Sequence, residues 1–151
     1  MEFEQLKLSN QLCFPVYAAS RLITREYKPH LEKLGITYPQ YLVLMVLWEN
    51  DSLSVVEIAH KLILNTNTIT PLLKRMESQG ILTRTRSETD ERKVIVSLTD
   101  KGKEMRIQAA SIPEELAKNI INDLLKAEDI ITLRNTLNSL IDILIEKDSN
   151  F

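Results

Sequence analysis

The chain holds one cysteine, Cys13, and two histidines, His30 and His60. A thiol does chemistry as its thiolate, which attacks peroxides and disulfides or binds metal. The histidines are far apart and share no ligand spacing with Cys13, so no metal site is expected. Pro15 follows two residues after Cys13. Proline is accepted only in a helix's first turn, where its missing N–H would be unpaired anyway. Either a helix begins near Cys13 or it is kinked there. In the first case the unpaired N–H groups and the helix dipole favour an ionised sulfur. Taken alone, a lone cysteine is more often a small buried apolar residue than a reactive one. With no second cysteine, an oxidised Cys13 has three fates: it stays sulfenic, is capped by a small thiol, or oxidises further.

A second set of residues suits nucleic acid. Asn65, Thr66, Asn67, Thr68 and Thr70 present short donors and acceptors at a helix start. Such groups reach base edges and phosphates in a major groove. Lys74 and Arg75 follow about one turn later, placed for phosphate. Arg84 and Arg86 approach a charged turn, and Arg92 leaves it, with Asp90 two residues earlier and able to orient the guanidinium. A lone arginine on a narrow hairpin suits a minor groove. Any one of these residues has a bland explanation as a cap or a solvated charge. Their order does not.

The elements that must position both sets are readable. A first helix spans about 12–34, stopped by Gly35. Thr37-Tyr38-Pro39-Gln40 reads as a capping box before an apolar, buried helix over 40–48. Ser54-Val55-Val56-Glu57 is a second box, opening a short helix over 55–62. Ile63-Leu64-Asn65 is a turn, and a helix over 66–79 stops at Gly80. Pro71 falls inside that helix, which begins either at Thr70 or, with a local distortion, near Asn65. Stretches 81–86 and 93–98 alternate like a hairpin around a turn at 87–91. Thr99-Asp100 caps a helix to about Ala110, Pro113 interrupts, and the last helix covers 127–147. Tyr17, Tyr41 and Trp48 are expected in the core. The predicted fold is mainly α with a small β-hairpin, a winged helix-turn-helix with N- and C-terminal dimerisation helices.

Composition agrees. At 151 residues, 44% hydrophobic and 26% charged, with only 3 Gly and 5 Pro, the chain suits one mostly helical domain. The net charge of −2 is unevenly spread. Residues 65–93 hold six cations against four acids, while 111–151 hold eight acids against four cations. Local charge is what meets phosphate. The acidic, polar start does not read as an export signal, no apolar run is long enough to span a bilayer, and a reducing cytoplasm is expected.

Asp90-x-Arg92, the strand after it and Leu98-Thr99…Gly102 resemble the wing signature of the MarR family of winged-helix repressors. Thr70-Pro71-Leu72-Leu73-Lys74-Arg75-Met76-Glu77 resembles that family's recognition helix, which favours the longer helix. Gln11-Leu12-Cys13-Phe14, Tyr17, Tyr27-Lys28-Pro29 and Ile36-Thr37-Tyr38-Pro39-Gln40-Tyr41-Leu42 resemble its organic-hydroperoxide-sensing, OhrR-type branch. Pro15 and Asn65-Thr66-Asn67 depart from that branch's pattern. The resemblance implies one domain over 1–151, with helices in 12–34 and 111–147 dimerising and 37–102 reading palindromic double-stranded DNA. It implies Cys13 as the redox sensor, with an organic hydroperoxide and a low-molecular-weight thiol as the partners it meets. It implies Tyr27 and Tyr38 as donors to the sulfur, with no cofactor. One helix carrying both Cys13 and Tyr27 separates them by roughly 21 Å of rise. If the two meet, Tyr27 comes from the partner chain. The alternative signal is a small aromatic ligand lodged between the dimer helices and the DNA-binding lobe. A peroxide-consuming thiol enzyme lacks a resolving cysteine here.

Overall fold

Cys13–Lys33 forms one unbroken helix, α1, in the computed structural model, which describes residues 3–147. Pro15 is its third residue, where no N–H is missed, so the helix starts at Cys13 without a kink. Two single 3-10 turns, Glu4–Leu6 and Leu8–Asn10, precede it. Its end closes with the Gly35 N–H on the Glu32 carbonyl at 3.0 Å and the Ile36 N–H on that of Leu31 at 3.1 Å. The turn needs a left-handed residue, and Gly35 supplies φ 68°. Helix α2, Tyr38–Glu49, comes next. The chain divides into two compact units between Tyr38 and Pro39.

In the second unit, Ser54 and Glu57 form the expected capping box. The Ser54 hydroxyl accepts from the Glu57 N–H at 3.2 Å, and the Glu57 carboxylate accepts from the Ser54 N–H at 2.8 Å. The Ser54 side-chain hydrogen bond, then the backbone one, holds the Glu57 carboxyl below its ordinary value. Helix α3, Val55–Lys61, follows, and then helix α4, Thr66–Ser78. Pro71 lies inside α4, so the longer of the two expected helices forms. The Thr70 hydroxyl donates to the Thr66 carbonyl at 2.7 Å in the turn that leads into Pro71. Strands β2, Leu82–Arg86, and β3, Val94–Leu98, pair antiparallel from Leu82↔Leu98 to Arg86↔Val94. A third strand that sequence did not suggest, β1 at Leu53–Ser54, pairs with β3, giving the order β1-β3-β2. Helices α5 (Asp100–Ala109), α6 (Ile112–Ile120) and α7 (Ala127–Lys147) complete the chain. Pro113 stands in the first turn of α6, so it opens a helix instead of merely breaking one.

The core gathers Val43, Leu44 and Leu47 of α2, Ile58 of α3, and Ile69, Leu73 and Met76 of α4 with Leu82 and Val96 of the sheet. Tyr41 is buried with them, and its ring meets that of Trp48 edge-on at 6.1 Å. Tyr17, expected in the core, is instead 61% exposed, and the Arg21 guanidinium lies 5.4 Å from its ring centroid.

The turn between α3 and α4 has a strained residue. The Ile63 and Leu64 N–H groups close α3 on the carbonyls of His60 and Ala59, at 3.1 and 2.9 Å. This is the same closure as at Gly35, but the left-handed position holds a β-branched Ile63 at φ 55°. Such a residue costs roughly 1–2 kcal/mol there. Glycine would add about 0.5–1 kcal/mol of unfolded-chain entropy. Ile63→Gly is therefore expected to leave the melting temperature unchanged or raise it in a thermal scan. A fall of several degrees would contradict this account of the turn.

Candidate DNA-reading surface and thiol site

Ile69, Leu73 and Met76 are spaced to bury one face of α4. Around that buried stripe, Thr66, Asn67, Thr68, Lys74 and Arg75 are all exposed, with Asn67 and Lys74 on the side away from it. Asn65 is the N-cap, but its side chain makes no cap hydrogen bond; its carbonyl takes the Thr68 and Ile69 N–H groups at 3.0 and 3.1 Å. The Asn65 amide is thus not consumed by capping. Thr70 is half-buried and its hydroxyl proton is spent on Thr66. It is the weakest of these positions for direct base contact.

The hairpin separates its two arginines. Arg84 Nε donates to Glu77 Oε2 at 3.0 Å, and the Arg84 N–H donates to Glu77 Oε1 at 3.1 Å. That doubled bond ties β2 to α4 and offsets the Arg84 charge within the fold. Arg86, at the end of β2, is exposed. The turn that follows is closed by the Ser87 N–H on the Lys93 carbonyl and the Lys93 N–H on the Asp90 carbonyl, both at 2.9 Å. Asp90 was expected to orient the Arg92 guanidinium. Its Oδ1 accepts from the Arg92 backbone N–H at 3.1 Å instead, shaping the turn. The Arg92 guanidinium, like those of Arg75 and Arg86, has no ion-pair partner among the described residues.

Cys13 is the first residue of α1 and is exposed. The rings of Tyr27 and Tyr38 meet at 4.9 Å between centroids, tilted by 58°. Burial pushes the Tyr38 hydroxyl above its ordinary pKa, so it stays a protonated donor. Structure thus joins the two tyrosines within one protomer. It does not bring Cys13 to them: α1 is unbroken, and fourteen residues of helix put about 21 Å of rise between Cys13 and Tyr27. A Cys13 thiol that meets this tyrosine pair must belong to another copy of the chain.

Two helices leave apolar surface bare. Phe14, Leu22 and Ile23 of α1 are exposed, as are Leu133, Ile143 and Leu144 of α7. No residue of α7 is buried, although the helix is 21 residues long. Helices of that kind draw their stability from packing an apolar face, and here the protomer alone does not supply the packing. No helix among the described residues is long and apolar enough to cross a membrane.

A three-stranded sheet, a helix-turn-helix and a basic hairpin define a winged-helix DNA-binding regulator. Known proteins say the same. The profile of the transcriptional regulators SarA/Rot matches residues 25–108. The organic hydroperoxide resistance transcriptional regulator of Bacillus subtilis (strain 168) is 47% identical over 150 residues, 97% of this chain and 98% of the relative. The regulator MgrA of Staphylococcus aureus is 40% identical over 115 residues, 76% of this chain and 78% of its own. The solved structure of reduced AbfR bound to DNA superposes with a TM-score of 0.75 at 37% identity, covering 96% of this chain and 99% of that one. The chain belongs to the MarR family of winged helix-turn-helix transcriptional regulators, in its organic-hydroperoxide-regulator branch.

Proposed function

We propose that this chain is a repressor that binds palindromic promoter DNA as a homodimer and leaves it when an organic hydroperoxide oxidises Cys13. The observation that carries the proposal is the end-to-end likeness to a hydroperoxide resistance regulator in a chain whose one cysteine is exposed at the start of α1. The helices α1 and α7 supply the dimer surface, with α6 between α5 and α7, and the two recognition helices α4 enter successive major grooves. Asn65, Thr66, Asn67 and Thr68 read base edges, Lys74 and Arg75 hold phosphate, and Arg86 and Arg92 work from the wing. Arg84 and Asp90 hold that wing in shape. The work is that of a cytoplasmic regulator, and peroxide is used once per thiol rather than turned over.

The chemistry is a displacement at oxygen. The Cys13 thiolate attacks the hydroperoxide's distal oxygen, an S–O bond forms, the O–O bond breaks, and the alkoxide leaves and is protonated to the alcohol. Cys13 is then a sulfenic acid. A small thiol converts it to a mixed disulfide and water. The partner's Tyr27 and the partner's Tyr38 donate to the thiolate before reaction, and they lose that acceptor when the sulfur is capped.

Fluorescence anisotropy on a duplex from the chain's own upstream region tests both halves. The reduced protein should bind with an affinity that falls steeply with salt. Arg92→Ala should make the slope of log affinity on log salt shallower by about one per protomer. An organic hydroperoxide with a small thiol should then release the wild type, and a reductant should restore it. An unchanged slope in Arg92→Ala would remove that arginine from the interface. Undiminished binding after complete oxidation would remove the redox reading.

A further inference from the structure

Gln40 lies two residues after Tyr38 in the first turn of α2, and its side chain is only 1% exposed. Its Nε2 donates to Oε1 of Gln79 at 2.8 Å. Gln79 is the C-cap of α4, the reading helix, where its N–H joins the Arg75 and Glu77 carbonyls. Its own carbonyl accepts from Lys101 Nζ at 2.8 Å. A buried side-chain amide thus joins the start of one helix to the end of another, across 39 residues of sequence.

We infer that Gln40 and Gln79 are positioning residues for redox release, and that their hydrogen bond carries movement from the sensor end of α2 to α4. This rests on the function proposed above. Tyr38 and Gln40 share one helical turn, so a shift imposed on Tyr38 is a shift of Gln40. The bond is part-buried and costs free energy to break, so the two ends move together before they part. Bonding is also directional, which apolar packing at the same place is not. A reading helix held at its C-terminal end by such a bond follows α2 and leaves its groove.

The experiment compares three proteins on the upstream duplex, each reduced and then oxidised by hydroperoxide with a small thiol. They are wild type, Gln79→Glu, and the double variant Gln40→Met with Gln79→Met. Glutamate still accepts from the Gln40 amide. The double variant fills similar volume and removes both polar ends. The quantity read is the ratio of oxidised to reduced Kd, which measures coupling and not stability. Wild type and Gln79→Glu should give about tenfold or more. The double variant should give less than about threefold, with an unchanged rate of Cys13 oxidation. A wild-type ratio in the double variant would overturn the inference while leaving the proposed function intact. If the double variant shows no cooperative melt, Gln79→Met alone, at a helix end, is judged by the same ratio. Oxidised wild type that stays on DNA would overturn the proposed function and this inference with it.

Discussion

A Cys13→Ser variant should hold its promoter DNA at hydroperoxide concentrations that strip the wild type from it. Serine keeps the size and much of the hydrogen bonding of cysteine, so the reduced-state affinity should lie within about threefold of wild type. What it lacks is a nucleophile that attacks the O–O bond at neutral pH. With one cysteine in the chain, no other thiol can take over. The expected effect is complete loss of the response, at least about tenfold in affinity at the peroxide dose that releases wild type. Mass spectrometry of the treated wild type should place the added oxygen or thiol on the peptide carrying Cys13. Release of Cys13→Ser by the same dose would mean that the signal enters elsewhere, and a ligand in the dimer cleft would then be the better reading.

The second large effect is structural. Gly102→Ala should lower stability by about 3 kcal/mol or more. A Cβ at position 102 would stand 2.2 Å from the Ile81 carbonyl oxygen and 3.0 Å from Leu98 Cδ2. Neither backbone can retreat. The Gly102 N–H donates to the Thr99 hydroxyl at 3.2 Å, and its carbonyl accepts from Trp48 Nε1 at 2.9 Å. From the other side, the Thr99 hydroxyl and N–H donate to Ile81 O at 2.9 and 3.1 Å, and the hydroxyl also reaches the Gly80 carbonyl at 2.7 Å. This knot fixes the root of the wing hairpin to α5 and α2. A drop of roughly 10 °C in melting temperature is expected at fixed protein concentration, with weaker DNA binding as the wing loosens. A Gly102→Ala protein that melts within 2 °C or so of wild type would show that the close approach is not a constraint.

Local signals explain why so much of the fold can be read from the residues. The Ser54–Glu57 box, the stops at Gly35 and Gly80, and the alternation of the hairpin each act within a few residues, so α1, α3, α4, β2, β3 and α7 fall close to where sequence puts them. The Leu98-Thr99…Gly102 signature is legible too, though only the packing of Gly102 on Ile81 gives its reason. What was missed depends on distance. β1 is two residues long and exists only because β3 passes beside it. Arg84 looks like any hairpin arginine until Glu77, seven residues earlier and on another element, is found beneath it. Asp90 was expected to hold a guanidinium and holds a backbone N–H, because the turn brings that group closer than the flexible side chain. Tyr17 looks like core by residue type, but in the protomer its ring stays exposed, with the Arg21 guanidinium beside it. The Gln40–Gln79 bond has no sequence signal at all.

The most direct test of the central claim, a sensor shared between two copies, uses a mixed dimer. One protomer carries Cys13→Ser, and the other carries Tyr27→Phe with Tyr38→Phe. If each thiol is served by the partner's tyrosines, this heterodimer holds one intact site, made from the second protomer's Cys13 and the first protomer's tyrosine pair. The rate of Cys13 oxidation per remaining thiol, read by mass spectrometry, should then match wild type. The homodimer of Tyr27→Phe with Tyr38→Phe should be slower by about tenfold or more, having lost two donors to the thiolate. A heterodimer as slow as that homodimer would place the tyrosines in the same chain as the thiol they serve, and would contradict the account.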